Sequence, residues 1–240
     1  FNKPLLIKCA CKNFITSCCN PTCTQANGNY CFFFFSAAFG YSFSFFNFSL
    51  SERESKNRLL IEEVDVFRRA LKPKQVIFHP GISGLLEETI RQIKIFRNEF
   101  QDLFDVVIIE NKPKIGLKDE KCIGASPEEI QRILEETEMG FCLDIGHAIC
   151  YAAWKQSDHR EVIDRFMELN PVIFHLSDGN INSKKDAHLN FGAGNFELNQ
   201  IIAMIPVDAY VSIETNKASK SNLDDFKKDV SYFKECQTCN

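Results

Sequence analysis

Short apolar runs alternate with longer amphipathic stretches over most of this chain, and five of the runs end in or beside a His, Asp or Glu. They are VIFHPG with His79, VVIIENKP with Glu110, GFCLDIGH with Asp144 and His147, VIFHLSDG with His175, and YVSIETN with Glu214. The unbroken β-branched run in DVVIIE predicts a strand buried on both faces, as in a parallel sheet. Between the runs, apolar residues recur at helical spacing. Leu59, Leu60, Val64, Phe67 and Leu71 predict a helix over 52–71, and further helices are expected over 85–104, 158–169, 196–205 and 222–235. Ser126-Pro127-Glu128-Glu129 is a helix start, with Ser as N-cap, Pro at the first position and Glu at the third, and that helix should end near Met139-Gly140.

The steps from His79 to Glu110, Asp144, His175 and Glu214 are 31, 34, 31 and 39 residues, about the length of one strand-helix unit. Repeated strand-helix order implies a parallel sheet covered by helices. The expected fold class is α/β, a (β/α)8 TIM barrel, incomplete or irregular over its first two strands. A sixth strand is expected in Tyr41 to Phe48, and PLLIKCAC and YCFFFF are the candidates for two more. The segment between those two, rich in Cys, Asn, Thr and Gly, is a poor helix.

Composition changes the picture mainly at the amino terminus. Six of the eleven cysteines fall in the first 31 residues, eleven of the 23 phenylalanines lie before residue 50, and no Asp, Glu, Lys or Arg occurs between Lys12 and Glu52. Residues 1–40 are therefore read as an atypical Cys/Phe-rich segment and residues 41–240 as one barrel domain. The terminal Cys236 and Cys239 form a CxxC with no second pair at zinc-finger spacing, and are read as incidental thiols. The formal net charge of −4 gives no electrostatic reason for a polyanionic partner. No run of 18 or more uninterrupted apolar residues occurs, and the amino terminus lacks the features of a signal peptide. The expectation is a cytoplasmic protein with no membrane partner.

Glu110, Asp144, His175 and Glu214 sit on four successive strand ends, so a closed sheet would aim all four into one mouth, where parallel barrels keep their active sites. Three carboxylates and an imidazole suit one divalent metal, Mn2+, Mg2+, Co2+ or Zn2+, and the donor types do not choose among them. A second group follows. His147 comes three residues after Asp144 and is placed in the loop after the strand, while Asp186 and His188 point to the same side if their backbone is extended. Trp154 and Tyr151 either line the mouth beside His147 or pack the following helix.

The set VIFHPG, IIENKP, LDIGHA, FHLSDG, DAHLNFGAGNFE and SIETN, in this order, resembles the xylose isomerase-like TIM-barrel superfamily over about residues 41–216. That superfamily holds sugar-phosphate isomerases and epimerases together with endonuclease IV-type AP endonucleases. The isomerase branch implies one divalent metal on Glu110, Asp144, His175 and Glu214. Glu110 and Glu214 would also be the acid/base pair, moving a proton next to a carbonyl of a small sugar, sugar phosphate or polyol. His147 would bind substrate hydroxyls and His188 would complete the pocket.

The endonuclease branch implies two to three zinc ions. His79 and Glu110 would serve one, Glu110, Asp144, His175 and Glu214 another, and His147, Asp186 and His188 a third. That branch also carries a His on the third strand, and this chain has none before residue 79. The absence of that His and of a basic cluster for phosphates favours the small-molecule reading. A non-catalytic barrel with a vestigial metal site is the third reading. The expected partner is a small sugar-like substrate rather than nucleic acid, with self-association into a homo-oligomer left open.

Overall fold

The computed structural model describes residues 46–216 and 222–238, together with two short strands, β1 (Leu5–Leu6) and β2 (Phe35–Ser36). The rest of the amino-terminal 45 residues, including Tyr41 to Phe45 of the expected sixth strand and most of the Cys/Phe-rich segment, lies outside the described residues. So does Cys239. The strands that follow are β3 (Val76–Phe78), β4 (Gly81–Ile82), β5 (Val107–Glu110), β6 (Cys122–Ile123), β7 (Gly140–Asp144), β8 (Ile173–Leu176) and β9 (Tyr210–Ile213). The helices are α1 (Glu54–Leu71), α2 (Leu86–Glu99), α3 (Gln101–Phe104), α4 (Pro127–Thr137), α5 (Ile145–Lys155), α6 (His159–Met167), α7 (Leu198–Met204) and α8 (Asp224–Thr238).

Seven strands form one parallel sheet in the order β1-β9-β8-β7-β5-β3-β2, the strand order of a TIM barrel, while β4 and β6 make a small antiparallel pair apart from it. Side-chain parity along the central strands decides what each one buries. Val76, Phe78, Val107, Ile109, Phe141, Leu143, Phe174, Leu176, Val211 and Ile213 join the large core shared with the helices. The alternate positions, Ile77, Ile108, Cys142 and Ile173, with Tyr210 packed against them, form a separate inner layer. Continuing the inner parity by two residues on each strand reaches His79, Glu110, Asp144, His175 and, past Ser212, Glu214. The same alternation that fills the barrel floor with apolar side chains therefore lines its mouth with metal-ligand types.

The expected helix start at Ser126 is present: its side chain accepts a hydrogen bond from Glu129 N and Pro127 opens the helix, a cap worth about 1 kcal/mol. Three expectations are corrected. Residues 46–48 are not strand, because both backbone groups of Asn47 are taken by a side chain: Asn47 N donates to Asn57 Oδ1 (3.1 Å) and Asn57 Nδ2 donates to Asn47 O (2.9 Å). The helix expected over 85–104 breaks at Phe100 (φ −125°, ψ 48°), giving α2 and α3. Finally, the stretch after β7 is helix α5 rather than loop. Its residues 145–152 are all buried, so it has no polar face for a helical period to reveal.

Candidate metal centre

Register on neighbouring strands sets which side chains meet. Asp144 is paired with His175, His175 with Ser212, and Glu110 with Cys142 rather than with Asp144. His175 is the hub: its Nδ1 lies 3.3 Å from Glu110 Oε2, 3.3 Å from Glu214 Oε1 and 3.9 Å from Asp144 Oδ2. One donor atom from each of Asp144, His175 and Glu214 lies within 4.8 Å of the others, and the same holds for Glu110, Cys142 and His175. His79, at the end of β3, reaches Glu110 Oε2 from the solvent side at 3.3 Å, with 41% of its side chain exposed.

The second group is brought together too. Asp144 caps α5 by accepting from His147 N (2.8 Å), and this places His147 in the first helical turn rather than in a loop. Its Nδ1 bonds the Asn111 carbonyl at 2.8 Å, and His188 Nδ1 bonds the Glu214 carbonyl at 2.9 Å. A carbonyl only accepts, so each Nδ1 carries a proton, and in the neutral imidazole each Nε2 is the atom with the lone pair. Both Nε2 atoms face Asp186 Oδ2, at 3.5 Å each. A backbone carbonyl fixing one imidazole nitrogen while the other faces the site is the usual arrangement of a metal-ligating His. Asp186 and His188 do not meet through extended backbone, however. His188 sits in the left-handed region (φ 47°), with its N–H donating to Asp186 Oδ1 at 2.9 Å. Such a residue at a site is backbone strain held by its surroundings.

Two carboxylates hold the loop that carries this pair. Asp178 accepts from the N–H groups of Gly179, Gly192, Gly194 and Phe196, at 2.8–3.1 Å. Asp229 of α8 accepts from Asn190 Nδ2, Phe191 N and the Thr215 hydroxyl. A Cβ at Gly194 would lie 2.2 Å from the Gly179 carbonyl, so the tight return of this loop requires glycine there. Asn111, Cys142, Asp178 and Asp229 escape a reading based on recurrent strand-end residues. The first follows Glu110 directly in IIENKP, which is the only signal it leaves.

Enclosure opposes ionisation of Glu110, but the charges of His175 and His79 and the close approach of His147 outweigh it and hold the carboxyl well below its ordinary range. Asp144 moves up: burial dominates, with His147 working against it. Desolvation lowers His175, yet Cys142, Glu214 and Glu110 keep the imidazole well above its ordinary value. Burial and Lys112 lower His79, and burial pushes the Cys142 thiol up to about 12. Carboxylates converging this closely need a cation or protons to relieve them, and the raised pKa of His175 makes its imidazole the group within the protein suited to carry such a proton.

The donor set also passes a test of fit to a metal. His175 Nδ1 and Asp186 Oδ2 are buried polar atoms with no hydrogen-bond partner, a costly state that coordination would remove. Each of the two groups contains one of them.

Of the remaining expectations, Trp154 is partly exposed and stacks on Tyr151 at 5.9 Å between centroids, with Lys114 Nζ 5.9 Å from its ring. Cys236 is buried, with its thiol 2.7 Å from Asn199 Oδ1. No helix among the described residues is long and apolar enough to cross a membrane.

Comparison with known proteins agrees with this fold. No curated protein matches the sequence. Among solved structures, a D-tagatose 3-epimerase-like protein is similar at 22% identity and TM-score 0.62, covering 82% of this chain and 75% of the other. Endonuclease IV from Thermus thermophilus is similar at 18% and 0.64, covering 82% and 74%. D-allulose 3-epimerase from Methylomonas sp. is similar at 13% and 0.52, covering 79% and 73%. At these identities the likeness is one of fold. The family model described as xylose isomerase-like TIM barrel matches residues 25–236, and on that match the chain belongs to the xylose isomerase-like TIM-barrel family.

Proposed function

We propose that this protein is a divalent-metal-dependent isomerase or epimerase of a small sugar or sugar phosphate, moving a proton at the carbon next to a carbonyl. The observation that carries the reading is the pair of carboxylates, Glu110 and Glu214, each 3.3 Å from the same His175 nitrogen. Glu110, Asp144, His175 and Glu214 would hold the cation, which when bound supplies Lewis-acid polarisation of a carbonyl. Glu110 and Glu214 belong to strands on opposite sides of β7 and β8, so one can take a proton from carbon while the other returns one. Glu110 is buried, whereas the Glu214 side chain keeps 17% exposure and so faces the substrate side. His147 and His188 present Nε2 lone pairs to substrate hydroxyls. Positioning of this kind by fixed side chains is a large part of such catalysis.

The test is deuterium exchange. Metal-loaded protein in D2O with a panel of ketoses and ketose phosphates should incorporate deuterium next to the carbonyl. A panel without exchange sinks the proposal. One observation favours a second reading, a zinc-dependent AP endonuclease-like phosphodiesterase: His147, Asp186 and His188 form a nitrogen-rich donor set of their own within 4.8 Å. That reading requires two to three zinc ions per chain by mass spectrometry and cleavage of an abasic-site duplex.

A further inference from the structure

Cys142 lies on the floor of the candidate centre, and neither the isomerase nor the phosphodiesterase reading uses it. It has the inward parity of Asp144, two residues deeper on β7, and the stagger of the sheet sets it directly beside Glu110 on β5. Its neighbours in the inner apolar layer are Ile77, Ile108 and Ile173. Its sulfur lies within 4.8 Å of donor atoms of both Glu110 and His175. The thiol is fully buried and in no disulfide.

A lone buried thiol is ordinarily a small apolar filler. Two further observations point to a ligand here. His175 Nδ1, 1% exposed and without a hydrogen-bond partner, opens into the same space. Ser212 Oγ, paired in register with His175 on β9, is also buried and unpartnered. The floor thus holds more polar atoms than its protein neighbours satisfy.

We infer that Cys142 supplies a sulfur ligand from beneath the metal, converting an oxygen/nitrogen centre into a mixed O/N/S one. A thiolate donor selects Zn2+ or Co2+ over the oxygen-seeking Mg2+ and Mn2+, which the four strand-end residues alone do not do. On binding, the S–H bond is broken, a sulfur–metal bond forms, and the proton leaves to buffer. The inference rests on the reading that this mouth holds a metal.

The test uses the full chain, stripped of metal under reducing, anaerobic conditions and titrated with Co2+. The wild type should develop a sulfur-to-cobalt charge-transfer band in the near ultraviolet. Cys142→Ser should lose it while still binding one cobalt, and its preference for Zn2+ over Mn2+ should fall by at least about tenfold. Because other cysteines can bind cobalt, His175→Ala serves as the background. A band of equal strength in His175→Ala and wild type overturns the inference. If Cys142→Ser does not fold, X-ray absorption of wild type holding one zinc decides: a sulfur neighbour at about 2.3 Å supports the inference, and oxygen and nitrogen neighbours alone overturn it while leaving the metal centre standing. Failure to bind any metal overturns both.

Discussion

Asn111 clamps Asp144 by its backbone: its Oδ1 accepts from Asp144 N at 2.7 Å, and its Nδ2 donates to Asp144 O at 3.0 Å. The amide thus continues the ladder between β5 and β7 one step past the last paired residues, Glu110 and Cys142. Its own carbonyl meanwhile fixes the His147 ring. One residue therefore orients two candidate ligands of the next unit, Asp144 through its side chain and His147 through its backbone carbonyl. Asn111→Ala leaves the Asp144 N–H unpartnered in a buried site, at a cost of about 1–3 kcal/mol, while the Asp144 C=O, as the α5 N-cap carbonyl, keeps the helix behind it. The expected outcome is a destabilisation of about 1–3 kcal/mol by urea denaturation, with metal affinity reduced by about 10–100-fold. Unchanged affinity in Asn111→Ala would show that Asp144 holds its place without the amide.

Gly146 sits in the first turn of α5, where its missing side chain leaves room for the second group. A Cβ there would stand 2.9 Å from Ser177 Oγ, 3.0 Å from Asp186 Oδ2 and 3.3 Å from Asp144 Oδ1. Gly146→Ala pushes on the one Asp186 oxygen that both His147 and His188 face. Overpacking of this sort costs about 1–3 kcal/mol, and the displaced carboxylate should weaken ligand binding at His147 and His188 more than at His175. Comparing the tight and weak phases of a metal titration in wild type and Gly146→Ala checks this. Equal losses in both phases refute it.

The loop that carries Asp186 and His188 depends on a carboxylate outside that pair. Asp178 gathers four backbone N–H groups, and hydrogen bonds to a charged acceptor are worth about 1.5–3 kcal/mol each. Asp178→Asn keeps the shape but lacks the charge and can accept at only one oxygen. It should lose about 2–3 kcal/mol in thermal or urea unfolding and gain hydrogen exchange at the Gly192 and Gly194 amides. Protection of those two amides at the wild-type level would count against a loop built on Asp178.

These examples separate what the sequence reveals from what it hides. His79, Glu110, Asp144, His175 and Glu214 are legible because period-two alternation places them on the same face as Ile77, Ile108, Cys142, Ile173 and Tyr210, one per strand-helix unit. Helix α4 is legible from Ser126 and Pro127, whose chemistry is local. Helix α5 is not, because burial on all sides erases amphipathic contrast. Asn111 and Asp178 act through partners 14 to 36 residues away, and Cys142 meets Glu110 only through the sheet stagger. Such relationships exist only once strands are paired in register.

The charge state of the centre makes a final prediction about pH. The raised pKa of His175 means that, without metal, the folded state holds a proton that the unfolded chain releases near pH 6.5. Its contribution to stability is therefore fully present below about pH 6.5 and is lost as pH rises through the folded value. Asp144, also raised, works in the same direction: above its unfolded value, burying the carboxylate costs more as pH rises. Glu110 is depressed, so its contribution is present above about pH 4.5 and is lost as pH falls toward its folded value. Metal-stripped protein should accordingly lose thermal stability as pH rises above about 6.5 through the raised His175 value. A metal must displace the His175 proton, so affinity should rise with pH over the same window and binding at about pH 7 should release a proton. Calorimetric titrations of Cys142→Ser with Zn2+ in two buffers of different ionisation enthalpy measure that proton free of the one the Cys142 thiol releases. A heat that is identical in both buffers would mean that His175 is already neutral, and that the carboxylates around it are relieved by something other than its charge.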